Sequence, residues 1–117
     1  MNKREMGREK EQEVCRFLEQ RGYVILECNY RVQQGEIDIV ARQEEYLVFV
    51  EVKYRSSSIS GKALEAVDER KCRKISRTAL YYMKEHDISL NQAIRFDVVA
   101  VDGECVTLLP NAFDYRR

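Results

Sequence analysis

The chain has 117 residues, a length typical of a single domain, and its 20 basic and 20 acidic side chains give a formal net charge of zero at pH 7. It has neither an apolar stretch long enough to span a membrane nor a signal peptide, so we expect one cytoplasmic domain over residues 1–117 without a membrane partner. None of its four cysteines has a C-x-x-C spacing, which argues against a zinc site and predicts small buried apolar residues.

Hydrophobic periodicity predicts two helices and five strands. In chain order they are a helix over residues 3–21, strands near 23–30, 35–42 and 46–54, a helix over 68–86, and strands near 95–102 and 104–109. Short connections make the first three strands antiparallel, whereas a helical crossover lets the fourth strand run parallel to a neighbour. The order α-β-β-β-α-β-β therefore predicts an α/β fold with a mixed sheet flanked by helices.

In the first helix, an apolar stripe contains Val14, Phe17 and Leu18. Glu11 and Glu13 lie at the edges of this stripe, about equally displaced from its centre. Periodicity alone does not choose which of the two glutamates faces the rest of the protein.

Three charged residues interrupt two otherwise apolar strands: Asp38 in the second, and Glu51 and Lys53 in the third. A charge costs several kcal/mol to bury without a partner. If the connecting hairpin has a two-residue loop, Asp38 lies opposite Glu51 and Glu36 lies opposite Lys53; a different turn would change this register.

Directly opposed side chains have Cβ atoms about 4.5–5.5 Å apart, so two carboxylates there repel each other. A divalent cation reverses this repulsion, because Mg²⁺ prefers carboxylate oxygens. The alternative is a cross-strand salt-bridge cluster on a solvated sheet face. With a metal present, Lys53 would orient the attacking water and offset charge on a phosphate, and Glu36 would hold the lysine in position.

Charge is distributed unevenly along the chain. Residues 36–51 contain five acids and one base, whereas residues 53–77 contain eight bases and three acids. An acidic pocket beside a basic flank suits a phosphodiester substrate, which predicts nucleic acid as the partner.

The basic flank includes the long helix, for which Asp68 is the predicted N-cap. One stripe of this helix is apolar, and the opposite stripe carries Arg70, Arg73, Lys74 and Arg77. We interpret this basic stripe as a phosphate-contacting surface, with a plain solvated face as the alternative. The Ser/Gly-rich segment before the helix adds Arg55 and Lys62 as candidate contacts, unless it is only a connector. Asp97, inside an apolar strand, predicts a buried pairing with Arg95 or Arg31.

Asp38, twelve intervening residues and Glu51-Val52-Lys53 resemble the PD-(D/E)xK nuclease motif, with Ile37 in place of its proline. The chain also contains a wider set of matching segments, from Gly7 to Phe113, that closely resembles the bacterial YraN-like family. The segments are Asn29-Tyr30-Arg31, Gly35-Glu36-Ile37-Asp38, Phe49-Val50-Glu51-Val52-Lys53, Arg55-Ser56, Arg95-Phe96-Asp97-Val98-Val99-Ala100-Val101 and Ala112-Phe113. That family has a restriction-endonuclease-like fold and is similar to archaeal Holliday-junction resolvases.

The resemblance implies a Mg²⁺- or Mn²⁺-dependent endonuclease acting on nucleic acid, with DNA favoured over RNA and branched DNA a candidate substrate. It implies Asp38 and Glu51 as metal ligands, Lys53 as a catalytic residue, and Glu11 as a further ligand. Resolvases act as two-fold dimers, which makes a homodimer a candidate assembly. The alternative functions are a non-catalytic nucleic-acid-binding or interaction module on the same fold, and a purely structural protein.

Overall fold

A computed structural model of the chain describes residues 3–55 and 68–117, including the side chains from residue 8 onwards except that of Arg55. This part of the chain consists of two helices and five strands. They are α1 (Lys3–Glu19), β1 (Val24–Val32), β2 (Gly35–Gln43), β3 (Tyr46–Arg55), α2 (Glu69–Glu85), β4 (Ile94–Asp102) and β5 (Cys105–Phe113).

The five strands form one mixed sheet whose spatial order, β1-β2-β3-β4-β5, follows the chain. β3 and β4 pair in parallel, while the other three neighbouring pairs are antiparallel. The parallel pair is the one joined through α2, because parallel strands need a crossover long enough to return the chain to the same end of the sheet. The predicted α/β class and element order are confirmed and are compatible with a restriction-endonuclease-like fold.

The sheet has a hydrophobic core on each face. On one face, Val14 and Leu18 of α1 pack against alternate residues of β2, β3 and β4. On the other, the apolar stripe of α2 packs against the remaining inward-facing strand residues. The two faces are called the α1 side and the α2 side below. Because both faces are covered, β3 and β4 are buried over most of their length.

The long helix begins as predicted. The Asp68 side chain accepts a hydrogen bond from the backbone N–H of Lys71 at 2.9 Å, which makes Asp68 the N-cap. All residues of the predicted apolar stripe are buried: Cys72, Ile75, Ala79, Tyr82 and Met83. The helix ends one residue earlier than predicted, with His86 as its C-cap.

The β2–β3 hairpin has the predicted register. Gln43 pairs with Tyr46 across a two-residue loop, and the ladder continues regularly to the pair Ile39–Val50. Glu44, the first loop residue, adopts a left-handed conformation with φ of +54°. Pairing in this ladder stops at Ile39–Val50, one position before the two predicted site acids.

The predicted pairing of Asp97 is confirmed: this fully buried residue binds Arg95, whose Nε lies 2.9 Å from Asp97 Oδ1. The prediction that all four cysteines are buried is wrong for three of them. Cys28 and Cys105 are exposed and Cys15 is half-buried, whereas Cys72 is buried. Cys28 and Cys105 lie on the two edge strands, which the helices cover less completely than the centre of the sheet.

In residues 3–55 and 68–117, no helix is both long enough and apolar enough to cross a bilayer.

Candidate active site

Strands β2 and β3 separate at Asp38. The Asp38 carboxylate accepts a hydrogen bond from the backbone N–H of Val52 at 2.7 Å and so takes the place of a backbone carbonyl in the ladder. The ladder ends at Ile39–Val50, so the direct cross-strand pairs predicted for Asp38 with Glu51 and for Glu36 with Lys53 are not formed. The site therefore lies in a fork between two strands and not on a flat sheet face.

The fork arises because the side chains of β1 and β2 switch to the opposite face of the sheet at the same position along the two paired strands. In a regular strand, Ile37 and Ile39 would point to one face, but Ile37 packs on the α2 side and Ile39 on the α1 side. In β1, Asn29 is left-handed with φ of +54°, and its neighbour Tyr30 packs on the α2 side. The β1–β2 pairing has the same register on both sides of this switch, as the pairs Tyr30–Ile37 and Cys28–Ile39 show. Both strands therefore switch faces together, and the Asp38 side chain departs from the regular alternation of the strand.

On the α1 side, Asp38 lines a small cavity of about 40 Å³ together with Glu11 and Asn29. The Asn29 side chain donates a hydrogen bond to Glu11 Oε2 at 3.2 Å, which holds the glutamate beside the fork. Glu13 faces a separate groove of about 910 Å³ that α1 shares with the β4–β5 turn. The geometry thus distinguishes the two glutamates that periodicity left equivalent, because Glu11 and not Glu13 lines the same cavity as Asp38.

On the α2 side, Glu51 is only 8% exposed and is contacted by two lysines. Its Oε1 lies 2.8 Å from Lys71 Nζ and 3.6 Å from Lys53 Nζ. A groove of about 410 Å³ opens beside this cluster and is also lined by Arg31 and Lys74. A buried carboxylate with two ammonium groups and an open basic groove is a suitable place for a phosphate group.

Lys71 is the site residue that sequence reasoning missed, because the basic stripe was assigned to the outer face of the helix. Helical geometry contains the signal. At about 100° per residue, Lys71 shares its face with Ile75 and Thr78, which are buried against the sheet. A lysine on the packing side of a helix needs a charged partner, and here that partner is Glu51.

Electrostatic interactions couple Asp38, on the α1 side of the fork, to Glu51 on the α2 side. Burial and the negative charge of Glu51 raise the pKa of the Asp38 carboxyl to about 6, against the lowering effect of its hydrogen bond from Val52. Burial and the neighbouring Lys71 lower the pKa of Lys53 below its ordinary value. Although burial opposes it, hydrogen bonding to Glu51 raises the pKa of Lys71. Glu51 therefore influences Asp38 although the two line different cavities.

The donor atoms at the fork are of the kind that Mg²⁺ and Mn²⁺ prefer, namely carboxylate oxygens. Within the ranges the structure describes, no three Asp, Glu, His or Cys side chains converge closely enough to hold an ion by themselves. Mg²⁺ commonly binds through one or two carboxylates and completes its shell with water and substrate phosphate. Asp38 shares a cavity with Glu11 and is influenced by the charge of Glu51, so each glutamate is a candidate second carboxylate for such an ion. The described residues do not provide a preformed three-carboxylate cage.

The prediction that Glu36 orients Lys53 needs correction. Glu36 Oε2 lies 3.0 Å from Arg31 Nε in a salt bridge between β1 and β2, and both side chains are well exposed. Arg31 and Glu36 are direct partners in the β1–β2 ladder, whereas β2 has already separated from β3 at that level. Lys53 is held by Glu51 instead.

The other predicted phosphate contacts divide into three groups. Those on α2 are all exposed, as predicted for an outer basic stripe: Arg70, Arg73, Lys74 and Arg77. Lys74 additionally reaches the groove beside Glu51. Arg55 ends β3, but its side chain is outside the described part of the structure. Lys62 and the rest of the Ser/Gly-rich segment also lie outside the described residues.

Together these observations define a mixed α/β domain with a carboxylate-and-lysine cluster in a strand fork beside a basic helix. The chain belongs to the uncharacterised protein family UPF0102, which it matches over residues 10–101. This confirms the family indicated by the sequence motifs.

Individual relatives are similar over nearly the whole chain. The chain is 47% identical over 114 residues to a UPF0102 protein of Lachnoclostridium phytofermentans, covering 97% of each protein. It is 44% identical to a UPF0102 protein of Desulfosudis oleivorans, covering 97% of this chain and 94% of the relative. It is also 44% identical to a UPF0102 protein of Aeromonas hydrophila, covering 92% of this chain and 83% of the relative.

Proposed function

We propose that the protein is a metal-dependent nuclease of the PD-(D/E)xK type, similar to the archaeal Holliday-junction resolvases, that hydrolyses phosphodiester bonds of nucleic acid. The observation that carries the proposal is the fork between β2 and β3, where Asp38 is released from the strand ladder beside the lysine-bound Glu51. Charged groups at the break of a buried sheet cost stability, which indicates that function retains them. DNA is the preferred substrate in this proposal.

Asp38 and Glu51 are the proposed ligands for Mg²⁺ or Mn²⁺, with Glu11 as a further ligand from the α1 side. When bound, the ion would supply Lewis-acid activation of the phosphate and lower the pKa of a coordinated water. Ionised Asp38 is needed for this role, and a nearby cation would favour its ionised form. Asn29 would act by holding the Glu11 carboxylate in place.

The lysines act on the substrate in this proposal. Lys53 lies next to Glu51, where an ammonium would offset the negative charge that develops on a phosphate during hydrolysis. Its lowered pKa also makes Lys53 a better proton carrier than an ordinary lysine. Lys71 bridges the site and the outer stripe of α2, so that the phosphate backbone approaches along Arg70, Arg73, Lys74 and Arg77.

The experiment measures cleavage of branched, nicked and single-stranded DNA in the presence of Mg²⁺ or Mn²⁺. We expect Asp38→Asn and Lys53→Ala to reduce the cleavage rate by about a hundredfold or more, as is usual when a group that stabilises the transition state is removed. Lys84→Ala, an exposed lysine in the last turn of α2, is the matched control and should cleave like the wild type. Cleavage that survives both site substitutions would contradict the proposal.

The alternative is a non-catalytic nucleic-acid-binding module. It is favoured by one observation: Glu51 already has two ammonium partners, so its charge is balanced before any cation binds. In that case the wild type would bind DNA with a steep dependence on salt, give no products, and behave like Asp38→Asn. Binding and cleavage measured on the same preparations separate the two functions.

We also propose that the protein acts in the cytoplasm and as a homodimer, because a two-fold assembly matches the symmetry of a four-way DNA junction. Light scattering of the free protein and of its complex with a junction tests the assembly. A single chain bound per junction at saturation would rule out the dimer.

A further inference from the structure

Two free cysteines from different elements lie close together at the wall of the candidate active site. Cys15 is on α1 and Cys28 is on β1, and their Sγ atoms are 3.6 Å apart. A disulfide bond is about 2.05 Å long, so the two sulfurs need to approach by only about 1.5 Å to form one. A small side-chain rotation at each residue covers such a distance, because each Sγ moves on a single χ1 torsion.

The two thiols differ in their access to solvent. Cys28 is exposed, whereas Cys15 is half-buried between α1 and the sheet. Burial, the hydrogen bond to Cys28 and the negative charges of Glu19 and Glu11 raise the pKa of Cys15 to about 12. An oxidant therefore reaches Cys28 first, and Cys15 is positioned behind it as the resolving thiol.

The pair is directly connected to the acidic cavity. Cys15 and Cys28 line the same small cavity as Glu11, Asn29 and Asp38. Cys28 immediately precedes Asn29, whose left-handed backbone and hydrogen bond position Glu11. A covalent bond between the two sulfurs would fix α1 to β1 at the wall of this cavity.

We propose that Cys15 and Cys28 are a site of reversible oxidation, in which a peroxide converts the thiol pair into an intramolecular disulfide that links α1 to β1. The Cys28 thiolate attacks one peroxide oxygen, which breaks the O–O bond and leaves a sulfenic acid and hydroxide. The Cys15 sulfur then attacks Cys28 Sγ and expels the sulfenic oxygen as water once it is protonated. Overall, two thiols and one hydrogen peroxide give one disulfide and two waters, and a thiol reductant reverses the change.

The experiment treats the full chain at low protein concentration with a small excess of hydrogen peroxide, then counts free thiols and maps disulfide peptides by mass spectrometry. We expect the loss of two thiols per chain, a mass decrease of two hydrogen atoms, and a peptide joining Cys15 to Cys28. Because the crosslink restricts the unfolded chain, the unfolding temperature should rise by roughly 5–15 °C and return after treatment with dithiothreitol.

Cys28→Ser and Cys15→Ala should each abolish the linked peptide and the rise in unfolding temperature. The matched control is Cys105→Ser, which removes the other exposed cysteine and should oxidise like the wild type. Cys28 is exposed, whereas Cys15 packs at the edge of the core on the α1 side, so circular dichroism spectra of both variants before oxidation verify that they are folded. The proposal is overturned if the main product is a Cys28 sulfinic acid, a disulfide between two chains, or an intramolecular bond that persists in Cys28→Ser.

Discussion

Asp38 is subject to two opposing demands. Its carboxylate completes the end of the β2–β3 ladder by accepting the Val52 N–H, yet it sits in a half-buried position close to the charge of Glu51. Burial and repulsion both favour the neutral acid, which is why its pKa is raised to about 6. A group that must be ionised to bind a cation is thus held where ionisation costs stability.

We therefore expect Asp38→Asn to stabilise the metal-free protein at about pH 7.5 by roughly 1–2 kcal/mol and to have little effect near pH 4. The folded-state pKa is above the unfolded one, so the protonated carboxyl favours folding below about pH 4, and this contribution is lost as the pH rises through about 6. Asparagine stays neutral and keeps an oxygen to accept the Val52 N–H.

Urea denaturation in EDTA at both pH values measures this effect, with the exposed Asp114→Asn as the control. An equal change in the free energy of unfolding at the two pH values would show that the pKa of Asp38 is not responsible.

At the level of secondary structure, α2 contributes side chains both to the hydrophobic core and to the proposed substrate-binding surface. Its apolar side closes one face of the sheet, Lys71 reaches Glu51, and its outer stripe is basic. The position of the helix over β2 depends on a close approach at Gly35, where an added Cβ would lie 2.6 Å from Thr78 Oγ1.

The basic stripe predicts a measurable salt effect. Changing both Arg73 and Arg77 to glutamine should weaken DNA binding and lower the slope of log affinity against log salt by roughly 1.5–2, because each lost phosphate contact contributes about 0.9. The double variant Arg8→Gln/Arg16→Gln, with exposed positions on α1 across the sheet, is the charge-matched control. Fluorescence anisotropy over a range of salt concentrations gives both slopes. Equal slopes for the two double variants would exclude the stripe as the contact surface.

The close approach of β2 and α2 predicts that Gly35→Ala destabilises the protein by about 1–3 kcal/mol, because the new methyl group overlaps Thr78 and strains the backbone at φ of +155°. Adding Thr78→Ala should recover part of this loss, which a double-mutant cycle measures. Gly103→Ala is the control for backbone strain alone, since a Cβ there meets nothing within 4 Å. Strictly additive losses for the two substitutions would contradict the proposed clash.

At the scale of the whole molecule, a buried polar network joins elements far apart in sequence. Asp97 accepts hydrogen bonds from Arg95 at 2.9 Å, from the Tyr23 hydroxyl at 2.5 Å and from the Asn111 N–H at 2.9 Å. Arg95 also donates to Gln43 at 2.6 Å. The network thereby ties the start of β1, the β2–β3 turn, β4 and β5 together, at the opposite end of β2 from the fork.

Because Asp97 is fully buried and accepts hydrogen bonds from three residues, Asp97→Ala should cost about 3–5 kcal/mol and leave Arg95 without its charged partner. Tyr23→Phe removes a single hydrogen bond and should cost only about 1–2 kcal/mol. Chemical denaturation measures both values. If Asp97→Ala were no more costly than Tyr23→Phe, the network would not be a main support of the fold.

Several features could be predicted from the sequence because they depend on short-range patterns. The alternation of apolar residues predicted β2 and β3, a two-residue loop predicted their register, and helical periodicity with Asp68 predicted α2. The pairing of Asp97 with a base also followed, since a charge inside an apolar strand needs a partner, but the choice of Arg95 over Arg31 came from the structure.

Two features could not be obtained in this way, and each depends on contacts between distant segments. The face change at Asn29 and Asp38 breaks the alternation on which strand prediction relies, so the predicted opposition of Asp38 and Glu51 was wrong in detail. The partner of Glu36 was mispredicted for the same reason.

By itself, the sequence determined the fold class and the residue types available for chemistry, because these follow from periodicity and composition within short segments. The family was indicated by the resemblance of its motifs to those of a known family. Only the tertiary structure decided which side chains meet: Lys71 with Glu51, Glu11 with Asn29, and Cys15 with Cys28. Such meetings depend on how α1 and α2 pack on opposite faces of the sheet, and packing geometry is set by the whole core rather than by any one segment.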